Sequence, residues 1–223
     1  MDHQILDLGI IESPQQFHQL GIFVLDGSGS MKSSGRNNIS KADEVNIAVR
    51  ELLTRFKASR IRKNFSFCVV NFDTSASLKT PVTEADSIDD NDNYDPLVGH
   101  GKGTLVYKGL EIAKQEAENF LQNAPQGGVP HSVIILVMTD GLCHKPQESL
   151  QFAEGIKTGP FTGQVTICTT YFGEIGKSDL AAKDFLMDMA TDRIMGFKEV
   201  YDAETLRTFF EKSISAASGA NID

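Results

Sequence analysis

Apolar positions fall into two kinds of stretch that take turns along the chain. One kind is short and nearly continuous: Leu20-Gly21-Ile22-Phe23-Val24-Leu25, Phe65 to Phe72, Ser132 to Thr139 and Gln164 to Phe172. Such runs predict strands buried on both faces, as in a parallel sheet. The other kind is longer and has helical period. Val45, Ala48, Val49, Leu52, Leu53 and Phe56 share one helical face, behind a capping-box-like start at Ser40 and Asp43. Val106, Leu110, Ala113, Ala117, Phe120 and Leu121 form the next stripe, stopped by Pro125 and Gly127-Gly128. A short helix begins at Pro146, and a fourth carries Ala181, Ala182, Phe185, Leu186, Met189 and Ala190. A last strand at Phe197 to Tyr201 precedes a terminal helix marked by Leu206, Phe209, Phe210, Ile214 and Ala217.

Ser75 to Val82 predicts a partner for Phe65 to Phe72, and the short turn at Asp73-Thr74 forces that pair to be antiparallel. Glu84 to Gly103 has no period, carries Glu84, Asp86, Asp89, Asp90, Asp92 and Asp95, and reads as a long surface loop. The alternation as a whole predicts an α/β fold, a doubly wound and mostly parallel sheet between two helical layers. No repeat or linker interrupts it. Residues 1–223 are therefore expected to form a single domain with its core at about 17–217 and a frayed tail at 218–223. A chain of 223 residues is long enough to bury roughly 70% of its unfolded surface without disulfides or structural metals.

Lys and Arg number 21 against 30 Asp and Glu, a formal charge of −9, with no basic run. That argues against nucleic acid or an anionic membrane as the main partner. The longest apolar run, Val133 to Met138, is far shorter than the ~20 residues that span a bilayer. Met1-Asp2-His3-Gln4 lacks the basic start and long apolar stretch of a secretory signal. Three cysteines, Cys68, Cys143 and Cys168, are odd in number and lack CxxC spacing. They read as reduced thiols, and the expected location is cytoplasmic.

In doubly wound sheets ligands sit at the carboxyl ends of the strands. The first strand ends in Asp26-Gly27-Ser28-Gly29-Ser30-Met31, where three oxygen-bearing side chains spaced by two can converge in a curled loop. Oxygen donors suit a hard cation such as Mg²⁺, Mn²⁺ or Ca²⁺ and do not suit zinc. Thr139-Asp140-Gly141 places a carboxylate at the same edge, and Thr104 follows Gly101-Lys102-Gly103 at the start of a helix. Singly, each has a plainer reading: a Gly/Ser turn, a turn aspartate and an N-cap hydroxyl. Together they put oxygen ligands from three loops on one sheet edge.

In this pattern the chain resembles the von Willebrand factor type A (vWA) family with its metal-ion-dependent adhesion site (MIDAS). The family's Asp-x-Ser-x-Ser matches Asp26, Ser28 and Ser30, its Thr matches Thr104, and its Asp matches Asp140. The resemblance covers roughly residues 17–217 and implies a sheet with one antiparallel edge strand. It implies Mg²⁺ or Mn²⁺, ahead of Ca²⁺, held by Ser28 and Ser30, with Thr104 direct or through water and with Asp26 and Asp140 acting largely through water. The implied function is non-enzymatic: a partner protein's Glu or Asp completes the ion's coordination. Stand-alone bacterial members in tellurite-resistance or stress clusters, acting with kinases, phosphatases or ATPases, look most similar. Met31, Leu105 and Leu142 flank the loops and are expected on the partner surface.

Competing readings are a metal-assisted phosphoester hydrolase and a scaffold subunit with a purely structural metal. Gly-x-Ser-x-Gly is absent around Ser28, Gly99 to Thr104 departs from a phosphate loop, and Gly27-x-Gly29 lacks the third glycine of a dinucleotide fingerprint. A hydrolase would have only Asp26, Asp140 or His100 as a base. Cys143-His144 lacks metal-ligand spacing, and Cys68 and Cys168 read as core residues. The acidic stretch lacks calcium-loop order and reads as solvated.

Overall fold

The computed structural model describes residues 15–218 except 175 and 178. The expected absence of a leader at residues 1–4 and the tail beyond residue 218 lie outside the described residues. Among these residues six strands, β1 (His18–Asp26), β2 (Phe65–Phe72), β3 (Ala76–Glu84), β4 (His131–Thr139), β5 (Val165–Phe172) and β6 (Phe197–Val200), form one sheet in the order β3-β2-β1-β4-β5-β6. All neighbours are parallel except β2 and β3, so the fold is the doubly wound, mostly parallel α/β arrangement with one antiparallel edge strand. Among the described residues five α-helices connect or follow the strands: α1 (Lys41–Ala58), α2 (Val106–Gln122), α3 (Pro146–Lys157), α4 (Leu180–Met189) and α5 (Ala203–Ser218).

The apolar strands bury both faces. Phe23, Leu25, Ile134, Leu136 and Met138 join the core shared with α1 and α5. Leu20, Ile22, Val24, Val133, Ile135 and Val137 join the opposite core with α2, α3 and α4. Gly109 lets α2 lie close to the sheet, since a Cβ there would stand 2.6 Å from Val24 Cγ1 and 3.0 Å from Phe72 Cδ1. The capping box at α1 is formed: Ser40 Oγ accepts from Asp43 N at 3.0 Å, and Asp43 Oδ2 accepts from Ser40 N at 3.3 Å.

The stretch after β3 departs from the expected surface loop. Ala85, Ile88 and Tyr94 are buried against the α1 side of the core. Tyr94 Oη donates to the Asp89 carbonyl at 2.6 Å, and Tyr94 N donates to Asn46 Oδ1 at 2.8 Å. These contacts anchor an aperiodic segment that hydrophobic patterning alone assigns to solvent. Glu84, Asp86 and Asp89 face outward, whereas Asp90, Asp92 and Asp95 are half-buried, and two of these are paired locally: Asp90 with Lys57 at 3.1 Å and Asp92 with Lys79 at 2.7 Å. No helix among the described residues is long and apolar enough to cross a membrane.

Candidate metal site

β1 and β4 are neighbours whose following helices leave to opposite faces of the sheet, so a crevice opens between their carboxyl ends. Asp26 closes β1 and is fully buried. Its Oδ1 accepts from Ser28 N at 2.7 Å, and Oδ2 accepts from the Thr139 hydroxyl at the end of β4. The first contact curls the chain into a 3-10 turn at Gly29–Lys32. Gly27 is required here, because a Cβ would stand 2.1 Å from the Pro96 carbonyl oxygen.

Ser30 Oγ donates to Asp140 Oδ1 at 2.6 Å and lies 3.0 Å from Ser28 Oγ. Hydrogen bonds thus draw Asp26, Ser28, Ser30 and Asp140 to one end of the sheet. Thr104 is buried in a loop clamped to both neighbours. Gly29 N donates to Lys102 O at 2.9 Å, and Leu105 N donates to Asp73 O at 2.8 Å. On the β4 side, His144 N donates to Thr104 O at 2.9 Å, and Thr104 N donates to His144 Nδ1 at 3.3 Å. The N-cap of α2 is Leu105, with no side-chain cap bond, so the Thr104 hydroxyl is not a helix cap.

Several residues missed by sequence reasoning organise this edge. Lys41, the first residue of α1, is buried with its Nζ 2.8 Å from Asp140 Oδ2 and 3.2 Å from Glu174 Oε1. Asp73, at the end of β2, accepts from Ser75 N at 2.8 Å, Ser75 Oγ at 2.9 Å and Lys102 N at 3.2 Å. A lysine opening an amphipathic helix and an aspartate in a turn carry no sequence signal for such roles, because their partners are remote in the chain.

Burial pushes the Asp26 carboxyl up to about 6; Thr139 and Ser28 oppose the shift by hydrogen bonding, while the Asp140 charge adds to it. For Asp73, burial again disfavours the anion, but the bonds from Ser75, His100 and Lys102 together outweigh it and bring the carboxyl down to about 2. Glu174 is held at about 2 by Lys177 and Lys41.

The residues flanking the loops divide. Met31 is fully buried in the core, correcting the expectation that it lines a partner surface, because the 3-10 turn rotates it inward. Leu105 is half-buried, and Leu142 is exposed. Cys143 is a buried thiol 3.3 Å from Ser149 Oγ. His100 turns its ring nitrogens to Ser77 Oγ at 2.8 Å and Asp73 Oδ1 at 3.3 Å, and its side chain is only 3% exposed, so it is not poised as a solvent-facing base.

The donor set fits a hard divalent cation by its chemistry. The Ser28 and Ser30 hydroxyls meet the Asp26 and Asp140 carboxylates in one hydrogen-bonded cluster, oxygen donors of the kind that Mg²⁺ or Mn²⁺ takes. The Lys41 ammonium already stands on Asp140 Oδ2, so an incoming ion would meet it there.

No family model matches the chain. No curated protein matches it either. Solved structures do. The pilus adhesin SpaC from Lactobacillus rhamnosus GG superposes with a TM-score of 0.69 at 11% identity over 92% of this chain, which spans about a third (31%) of the adhesin. BatB, a conserved hypothetical protein from Bacteroides thetaiotaomicron, matches with a TM-score of 0.63 at 16% identity, covering 90% of this chain and 99% of BatB. Proximal thread matrix protein 1 from the mussel byssus, in a structure with a zinc-occupied MIDAS motif, matches with a TM-score of 0.61 at 18% identity, over 91% of this chain and 46% of its own. At these identities the likeness is one of fold: this chain has a vWA-like α/β fold.

Proposed function

We propose that the chain is a metal-dependent protein-interaction module. The observation that carries this reading is the convergence of the Ser28 and Ser30 hydroxyls with the Asp26 and Asp140 carboxylates at the switch point, with Ser30 bonded to Asp140 at 2.6 Å. Ser28, Ser30 and Thr104 would offer neutral oxygens to the ion, and Asp26 and Asp140 the negative charge. Asp26 is engaged by Thr139 and Ser28, and Asp140 by Ser30 and Lys41. A cation held mainly by hydroxyls is short of direct anionic ligands, and a Glu or Asp of a partner protein supplies one. Mg²⁺ or Mn²⁺ is the favoured ion, and the zinc-occupied motif of the mussel protein makes Zn²⁺ a necessary comparison. The buried, unpaired Cys68, Cys143 and Cys168 are in keeping with a reducing, cytoplasmic setting. The turned-in ring of His100 supports a non-enzymatic role over a hydrolase.

Thermal unfolding with Mg²⁺, Mn²⁺ or Zn²⁺ tests the reading directly. An ion at 100 times its dissociation constant adds about 2.7 kcal/mol to stability, and that gain is expected in wild type and absent in the Ser28→Ala/Ser30→Ala double variant. A wild-type transition insensitive to every divalent ion overturns the metal. Partner capture that persists in chelator overturns the bridge.

A further inference from the structure

Lys41 is an unusual neighbour for a cation site. Its side chain is 4% exposed, and its ammonium touches two carboxylates, Asp140 Oδ2 at 2.8 Å and Glu174 Oε1 at 3.2 Å. The chain takes some trouble to place it. Between the 3-10 turn and α1 the backbone folds back on itself, with Gly35 N donating to Ile39 O at 2.7 Å and Lys41 N donating to Ser33 O at 3.0 Å. That excursion brings the first residue of α1 under the end of β4. Ser33 Oγ then donates to Glu174 Oε1 at 3.3 Å, tying the loop after β5 into the same cluster.

We infer that Lys41 is the site's built-in counter-cation, which competes with the divalent ion for Asp140 and is received by Glu174 when it yields. The inference rests on the metal reading above. Two cations on one buried carboxylate disfavour each other, and the coupling is reciprocal: whatever ammonium binding takes from the ion, ion binding takes from the ammonium. Without the ammonium, Asp140 is a buried anion lacking its main compensation, which is costly in the ion-free protein and is relieved on ion binding. Glu174 acts in the opposite sense. It is the more exposed of the two carboxylates, at 28% against 1% for Asp140, so it can keep the ammonium paired near solvent while Asp140 turns to the ion. The device holds the site ordered and weakly binding in the absence of a partner. The isolated site still takes up the ion, and tight capture comes with the extra carboxylate that the partner brings.

Mn²⁺ alone is the probe, titrated by calorimetry into wild type, Lys41→Met and Glu174→Gln, with thermal unfolding of each in chelator and in Mn²⁺. Lys41→Met is expected to bind Mn²⁺ about tenfold tighter than wild type, within the usual range of coupling between sites, and to be less stable in chelator, whereas Glu174→Gln binds about threefold more weakly, a smaller coupling than is usual. A purely structural Lys41 would weaken binding in both variants. Equal or weaker binding by Lys41→Met overturns the inference while leaving the metal reading standing, and wild type that takes up no Mn²⁺ overturns both. If Lys41→Met folds only in Mn²⁺, the competition is supported. If it folds in neither condition, Lys41→Gln, which also removes the charge but keeps a polar side chain, takes its place, and Mn²⁺ binding there no tighter than wild type overturns the inference.

Discussion

Asp73→Asn should lower stability by an amount that depends on pH in a defined way. The carboxylate sits 1% exposed at the end of β2 and accepts three hydrogen bonds, from Ser75 N and Oγ and from Lys102 N. Its carboxyl is brought from the usual 3.8 down to about 2 by those bonds and His100, against the opposing effect of burial. Because the folded value lies below the unfolded one, the ionised group contributes stability above the unfolded value and loses it as pH falls through the folded value. The shift corresponds to about 2 kcal/mol at about 1.4 kcal/mol per pH unit. Urea unfolding at a series of pH values from about 6 to about 2 should show a gap between wild type and Asp73→Asn that narrows by about 2 kcal/mol across the acid range. A gap that stays constant would refute the assignment of the shift to Asp73. The same variant loosens the Lys102 anchor of the Thr104 loop, so a weaker Mn²⁺ affinity should accompany the change.

Other substitutions probe the frame. Gly109→Ala gains about 1 kcal/mol of helix propensity but forces a Cβ to within 2.6 Å of Val24 Cγ1 and 3.0 Å of Phe72 Cδ1. Overpacking typically costs about 1–3 kcal/mol, so a net loss is expected, and a raised melting temperature would contradict the close approach of α2. Ser40→Ala removes the acceptor for Asp43 N and should cost about 1 kcal/mol, read as a lower urea midpoint with an unchanged slope.

The sequence was most legible where one local rule acted alone. Ser40 and Asp43 announced the start of α1, and the two residues after Phe72 forced the antiparallel turn into β3. Doubly buried strands were readable from continuous apolar runs. The inward turn of Met31 is not legible, because the direction of a side chain in a 3-10 turn depends on the turn's orientation over α1, which no spacing encodes. Ala85, Ile88 and Tyr94 escaped because they pack without period, through contacts made by Asn46 and the Asp89 carbonyl. Four of the five candidate ligands do gather by hydrogen bonding, and Thr104 is held between the other loops by its backbone. Lys41, 99 residues from Asp140, was invisible to patterning because an exposed and a buried lysine look alike at a helix start.

The two outer strands carry a consequence for how this chain behaves at high concentration. The interior strands, with runs such as Val133 to Met138, have the composition that stacks into cross-β assemblies when an edge is open to template them. β3 breaks that template with a double register shift against β2, a proline at Pro81 and the Lys79–Asp92 pair. At the opposite side β6 is only four residues long. Both edges are thus poor templates for a further strand, which works against fibril growth when copies of the molecule crowd together.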